Sequence, residues 1–359
     1  MDIKIDQQVL SAATTMIAGQ HGIFGGVLLA ARDGTATMTG RSRSTAVVVT
    51  MPAETPTPGS VYLASPATLA AVVAAQPKGA LSLADGKTRS TLRSAAGGRY
   101  TLEQLPLDEF PANTIDDSDA PAWQVPAGTL ARLLQQTAFS VSVDESRPAL
   151  CGVLVDVAPG EVRCTSTDGH RLSTAWADAP CTHTASAILH RDGLALVQRS
   201  LGAVADAEVA TVTIRAASVT VEVAGVVIQT RATEIAFPDW RRVVPAAGKS
   251  PVIVDRREML AALRRVGVLK RSARVPVILR AADGRVVIEQ AIADVGDAHE
   301  EVACEGGDCD VAVNLRYLVD ILTACDADRV TIDAEADAFA PVLVSGGGSA
   351  EWVVMPMRR

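Results

Sequence analysis

The sequence predicts an α+β chain made of three similar segments in a row, each with two helices and an antiparallel sheet. Three observations predict it. Amphipathic helical segments recur at a long, nearly fixed spacing, alternating strand patterns with Gly-rich turns follow them, and polar or small-residue stretches separate the copies. The 359 residues are 48% hydrophobic and 21% charged, which is ample apolar material for several cores.

The first helix of each copy falls at Gln7–Ala18, Ala127–Ala138 and Arg256–Val266, with starts about 120 and 130 residues apart. Apolar residues recur at spacings of three and four, as in Leu130, Leu133, Leu134 and in Leu260, Leu263. Pro126 and Asp255 stand where helix-start signals belong. The second helices fall at Pro66–Ala75, Arg191–Ser200 and Leu315–Ala324, about 125 residues apart. Each is followed by a strand–turn–strand–strand pattern, which in the last copy runs from Val330 to Met355. Phe110-Pro111 and Phe237-Pro238, 127 residues apart, close the first two copies. The segments DDSDA (116–120) and PAAGKS (245–250) have linker composition. The domain boundaries that follow are 1–119, 120–246 and 247–359.

Charge narrows the function classes. A net charge of −8 excludes a protein that coats nucleic acid over its whole surface, and carboxylates outnumber basic residues in every copy. Locally, however, Arg256, Arg257, Arg264, Arg265, Lys270, Arg271 and Arg274 stand against one carboxylate, Glu258. That cluster is either a solvated helix face or a phosphate-facing surface. No stretch approaches eighteen uninterrupted apolar residues, so no membrane span is expected. The opening MDIKIDQQVL carries charge where an export leader is apolar, and six cysteines in no framework spacing fit reduced thiols. The expected location is therefore cytoplasmic.

No constellation has the form of an active site. Asp168, His170 and Ser173 lie within one short segment, whereas hydrolytic triads draw their members from separated elements; Asp168-Gly169 fits a hairpin turn instead. Cys304 and Cys309, with His299 nearby, lack the second cysteine pair of a structural metal site. Gly25-Gly26 and Gly97-Gly98 lack the Lys-Ser/Thr of a phosphate loop. No catalytic residue, metal or cofactor is expected. Met355-Pro356-Met357 forms an apolar tail, which predicts docking on its own domain or a wall of a peptide groove.

Four motifs in order within this threefold repeat carry a resemblance: RPALCGVL (147–154), TDGHRL (167–172), FPDWRRVVP (237–245) and VVMPMR (353–358). Together they resemble the β sliding clamp of bacterial replicative DNA polymerase, the DNA polymerase III β subunit. The resemblance implies three tandem DNA-clamp domains, each with two helices on a curved antiparallel sheet. It further implies a head-to-tail homodimer closed into a six-domain ring, with twelve helices lining a channel for double-stranded DNA. Such a ring is a non-catalytic processivity factor that holds DNA by topology, with no sequence preference. Its implied partners are the replicative polymerase, the clamp loader and repair polymerases, each inserting a short apolar peptide into one groove per chain.

By the motif match, that groove comprises Leu150, Thr167, Gly169, His170, Arg171, Leu172, Pro238, Arg242 and Val243. The third domain adds Val353, Met355, Pro356, Met357 and Arg358, with Val344 and Phe339 on a looser match. Arg171, Arg242 and Arg358 are the expected donors to peptide carbonyls or carboxylates. The expected DNA-facing residues are Arg132, Arg191, Arg199, Arg264, Arg265, Lys270, Arg271 and Arg316. Ring closure would set Tyr100 and Leu102 against Val268 and Leu269. The first domain departs from the family pattern. Its two helices carry no Lys or Arg, the loop Gly19–Gly26 lacks a basic residue, and Arg41-Ser42-Arg43-Ser44 follows Thr39-Gly40. Cys151 and Trp240 are local variants. An alternative reading is therefore a divergent paralogue that keeps the groove as a specialised or inhibitor-resistant interaction protein.

Overall fold

The computed structural model describes residues 1–18, 25–111, 116, 118–233, 235–246, 251–269, 276–334 and 340–358. The architecture is α+β, with two compact units: residues 1–131 with 189–234, and residues 132–188 with 235–359. The middle sequence copy is thus divided between the units.

Six α-helices lie among the described residues: α1 Gln7–Ala18, α2 Pro66–Ala74, α3 Ala127–Thr137, α4 Arg191–Gly202, α5 Arg256–Val266 and α6 Leu315–Ala324. Their starts are set locally. Asp255 Oδ1 accepts the backbone N–H groups of Arg257 and Glu258 at 2.9 Å, Asn314 Oδ1 accepts that of Arg316, and Ser65 Oγ accepts that of Thr68 ahead of Pro66. Each cap satisfies a donor that the helix itself leaves without a partner. The helices then bury one stripe: Met259, Leu260, Leu263 and Val266 on α5, and Leu318, Ile321 and Leu322 on α6.

The first unit carries a 13-stranded antiparallel sheet and the second a 12-stranded one. In each, strands from two sequence copies pair without a connecting turn. In the first unit Val226–Arg231 pairs with Thr45–Pro52, Val226 opposite Val49 and Thr230 opposite Thr45. In the second, Arg171–Ala179 pairs with Ala350–Val354, Arg171 opposite Val354 and Ala175 opposite Ala350. Tight two-residue turns punctuate the hairpins. Asp33-Gly34, Ala224-Gly225 and Asp283-Gly284 all have positive φ at both positions, the twist that suits antiparallel strands.

Candidate functional site

The second unit holds an apolar groove of about 190 Å³, lined by Leu150, Thr167, Gly169, Arg171, Leu172, Pro238, Asp239, Trp240, Val243, Val353 and Met355. Leu150, closing the short 3₁₀ turn Pro148–Leu150, contributes one lining side chain, and three further pieces of chain build the rest. Strand Gly160–Thr167 turns into strand Arg171–Ala179 through Asp168-Gly169-His170. Asp168 Oδ1 accepts the N–H groups of His170 and Arg171 at 2.9 and 3.1 Å, while Thr167 Oγ accepts that of Gly169 and donates to the Arg171 carbonyl. Gly169 has φ +88°, a left-handed conformation that favours glycine, and a Cβ there would stand 2.9 Å from Arg147 Nη1.

The second piece is the segment from Phe237 to Val244, whose short 3₁₀ helix Trp240–Val243 lies over the sheet. Leu154, Leu172, Ile188, Trp240, Leu343 and Val353 form a buried cluster beneath, with Ala149, Phe237 and Val244 packed on it. The guanidinium of Arg163 stands 5.6 Å from the Trp240 ring centre and that of Arg241 4.4 Å, so two cations pack on the indole. Arg163 is itself anchored by Glu161 at 3.0 Å. The third piece is the tail. Met355 N–H donates to the His170 carbonyl at 2.9 Å and Met357 N–H to the Ala312 carbonyl at 2.7 Å, docking the tail on its own unit. Val243 and Met355 remain 47% and 39% exposed at the rim, apolar surface facing outward beside an apolar floor.

Nine of the sequence-selected residues thus line one groove: Leu150, Thr167, Gly169, Arg171, Leu172, Pro238, Val243, Val353 and Met355. His170, Arg242 and Arg358 are exposed beside it, and Pro356 and Met357 are half-buried along the tail. Val344 requires a correction. It pairs with Trp352 while Leu343 pairs with Val353, so strand alternation turns Val344 away from Val353 and the groove, toward the face where Trp352 Nε1 donates to the Gln136 carbonyl. Phe339 lies outside the described residues.

Arg171 also departs from its expected role as a peptide donor. Its side chain is 8% exposed, with Nε 3.1 Å from Asp168 Oδ2 and Nη1 2.6 Å from Asp320 Oδ2, while Nη2 donates to the Phe139 carbonyl. The guanidinium packs over the Tyr317 and Phe139 rings at 4.5 and 5.3 Å. All three of its nitrogens are directed inward. Asp239 and Trp240 are lining residues that the motif reading passed over, although Trp240, an aromatic within FPDWRR, was the available signal.

The candidate DNA-facing arginines fall into two groups. Arg199, Arg264 and Arg316 are exposed, with single weak contacts to the Thr15 carbonyl (3.4 Å), Thr323 Oγ (3.4 Å) and Asp320 (3.7 Å). Arg191 is half-buried at the start of α4. Arg132 bonds Gln136 and Ser349 within the second unit, and Arg265 makes a two-pronged pair with Glu300 at 2.8 and 2.7 Å. That pair holds the Glu300 carboxyl below its ordinary range and raises Arg265. Lys270 and Arg271 lie outside the described residues. Arg256 is spent locally, donating to the Ala327 and Leu322 carbonyls at the end of α6. Of the expected interface residues, Tyr100 and Val268 are exposed and Leu269 half-buried. Leu102 is corrected: it is buried in its own unit, on strand Arg99–Leu105 opposite Ser90. The hydrolytic alternative fails on access, because Ser173 is fully buried with its Oγ 2.6 Å from Ser140 Oγ while His170 is exposed.

Comparison with known proteins gives this arrangement a family. Residues 124–239 match the family model of the DNA polymerase III beta subunit, central domain, and residues 241–358 that of its C-terminal domain. The beta sliding clamp of Pseudomonas aeruginosa is 29% identical over 277 residues, 74% of this chain and 73% of that protein. That of Synechococcus elongatus is 27% identical over 352 residues, 94% and 92% of the two chains. The crystal structure of the P. aeruginosa DNA polymerase III subunit beta superposes with a TM-score of 0.92 over the full length of both chains at 23% identity. With two domain models matched in sequence order, full-length agreement of fold and the relatives' names all concordant, the chain belongs to the DNA polymerase III beta subunit family, the bacterial beta sliding clamps.

Proposed function

We propose that this chain is a DNA sliding clamp that encircles duplex DNA and tethers the replicative polymerase, the clamp loader and repair polymerases. Two copies, head to tail, close a six-domain ring with domains 1–119, 120–246 and 247–359 in each chain. The observation that carries the reading is the apolar groove, preformed and open at the rim, on a chain of this family. A groove with a buried floor and exposed Val243 and Met355 fits a short peptide with one or two apolar anchors. Preformed walls spare the ordering cost that weakens binding to a mobile surface.

The role is to hold, not to catalyse, and it operates in the cytoplasm where the DNA is. A net negative charge suits that role. Each phosphate contact adds about one unit of salt dependence to binding, and a ring that made many would stall. Arg199, Arg264 and Arg316 are the favoured phosphate contacts, Arg191 is a fourth, and the α1 and α2 helices contribute none. Loading by the cognate loader and ATP onto nicked circular DNA tests the function. The expected result is protein retained on circles and lost when the DNA is linearised. A dimer that binds the polymerase but is never retained on circles would overturn it.

A further inference from the structure

Asp320 is not a groove residue, yet the groove's wall is tied to it. It sits on α6, whose Leu318, Ile321 and Leu322 are locked into the core, and its side chain is a quarter exposed. Its Oδ2 lies 2.6 Å from Arg171 Nη1 and 3.7 Å from Nε of the exposed Arg316 one turn earlier, so one oxygen serves two cations. Arg171 in turn holds Asp168, the residue that shapes the Asp168-Gly169-His170 turn, and its backbone pairs with Val354 beside the docked tail. The chain of contacts runs from α6 through Asp320, Arg171 and Asp168 to Gly169, Leu172 and Met355.

Resting on the groove reading above, we propose that Asp320 is a positioning residue for partner binding: it fixes the Arg171 guanidinium and, through it, the groove wall. The physical reason is the cost of the alternative. An arginine side chain that is 8% exposed and loses one of its two carboxylates keeps a poorly compensated charge, and it relieves that by moving toward water. The turn that Asp168 shapes moves with it. Coupling through such a contact chain typically alters binding by about threefold to thirtyfold. Arg316 supplies a contrast, since its more distant, exposed contact competes for the same oxygen and contributes little.

The test measures affinity of the full-length clamp for the purified cognate replicative polymerase, alongside thermal melting of each variant. D320N should weaken binding about fivefold at temperatures where it is fully folded, and D320E should restore part of the loss. R329A, which removes only an exposed pair with Glu305 in the same unit, should leave affinity unchanged. In a double-mutant cycle, R171M with D320N should weaken binding by much less than the product of the single effects. Additive effects, or a D320N variant that melts earlier but binds as the wild type does, would overturn the positioning role. A wild-type clamp that does not bind the polymerase would instead overturn the groove reading itself.

Discussion

Gly169 offers the sharpest separation of groove geometry from general stability. Replacing it with alanine places a Cβ on a residue at φ +88°, a conformation that costs an L-residue about 1–2 kcal/mol. The new Cβ also meets Arg147 Nη1 at 2.9 Å, but Arg147 is a flexible, half-exposed side chain paired with Asp144, so its displacement adds little. Gly160 in the same unit is the matching control, with φ +86° and nothing within 4 Å of the position a Cβ would take. Both variants should lose about 1–2 kcal/mol in urea denaturation. Only G169A should also weaken polymerase binding, because only its backbone lines the groove. Unchanged stability in G169A would refute the strain argument. Equal loss of affinity in G160A would show that loosening of the unit, not the groove wall, governs binding.

Three further outcomes follow from the same contacts. Removing residues 355–359 should abolish polymerase binding, since Met355 lines the groove, while sedimentation still shows a dimer. W240F should lower the melting temperature, because it leaves a void in the buried cluster and weakens the cation contacts, which the removal of an Nε1 with no hydrogen-bond partner among the described residues offsets only in part. Glu300 gives a pH effect: its carboxyl is depressed in the folded state, so its contribution is fully present above the ordinary carboxylate value of 4.5 and is lost as pH falls through the lower folded value. In urea midpoints measured from neutral to acid pH, the gap between wild type and E300Q should narrow below that value.

What the sequence disclosed and what it hid divide along physical lines. Local signals were legible: the stripe Met259, Leu260, Leu263, Val266 and the Asp255 cap placed α5 to the residue. Thr167, Gly169, Arg171 and Leu172, which line the groove, were legible through the family resemblance of their motif and not through any local signal. Hidden were consequences of pairing between distant residues. Arg171 reads as a free donor until Asp320, 149 residues away, occupies it. Arg265 reads as a phosphate contact until Glu300 takes both its prongs. Val344 fails for parity, because one step of register on a strand exchanges the two faces. Leu102 fails because burial on the sheet is decided by neighbours that no local pattern names.

The pairing of strands across sequence copies has a consequence for synthesis. During translation, Thr45–Pro52 leaves the ribosome with its partner Val226–Arg231 still unmade, and Arg171–Ala179 waits for Ala350–Val354. At ordinary elongation rates each strand spends on the order of ten seconds or more with an open hydrogen-bonding edge, a template for pairing with a neighbouring nascent chain. The second wait also covers the groove, whose floor lacks Val353 until the final strand arrives. A truncated or stalled product therefore carries no finished groove.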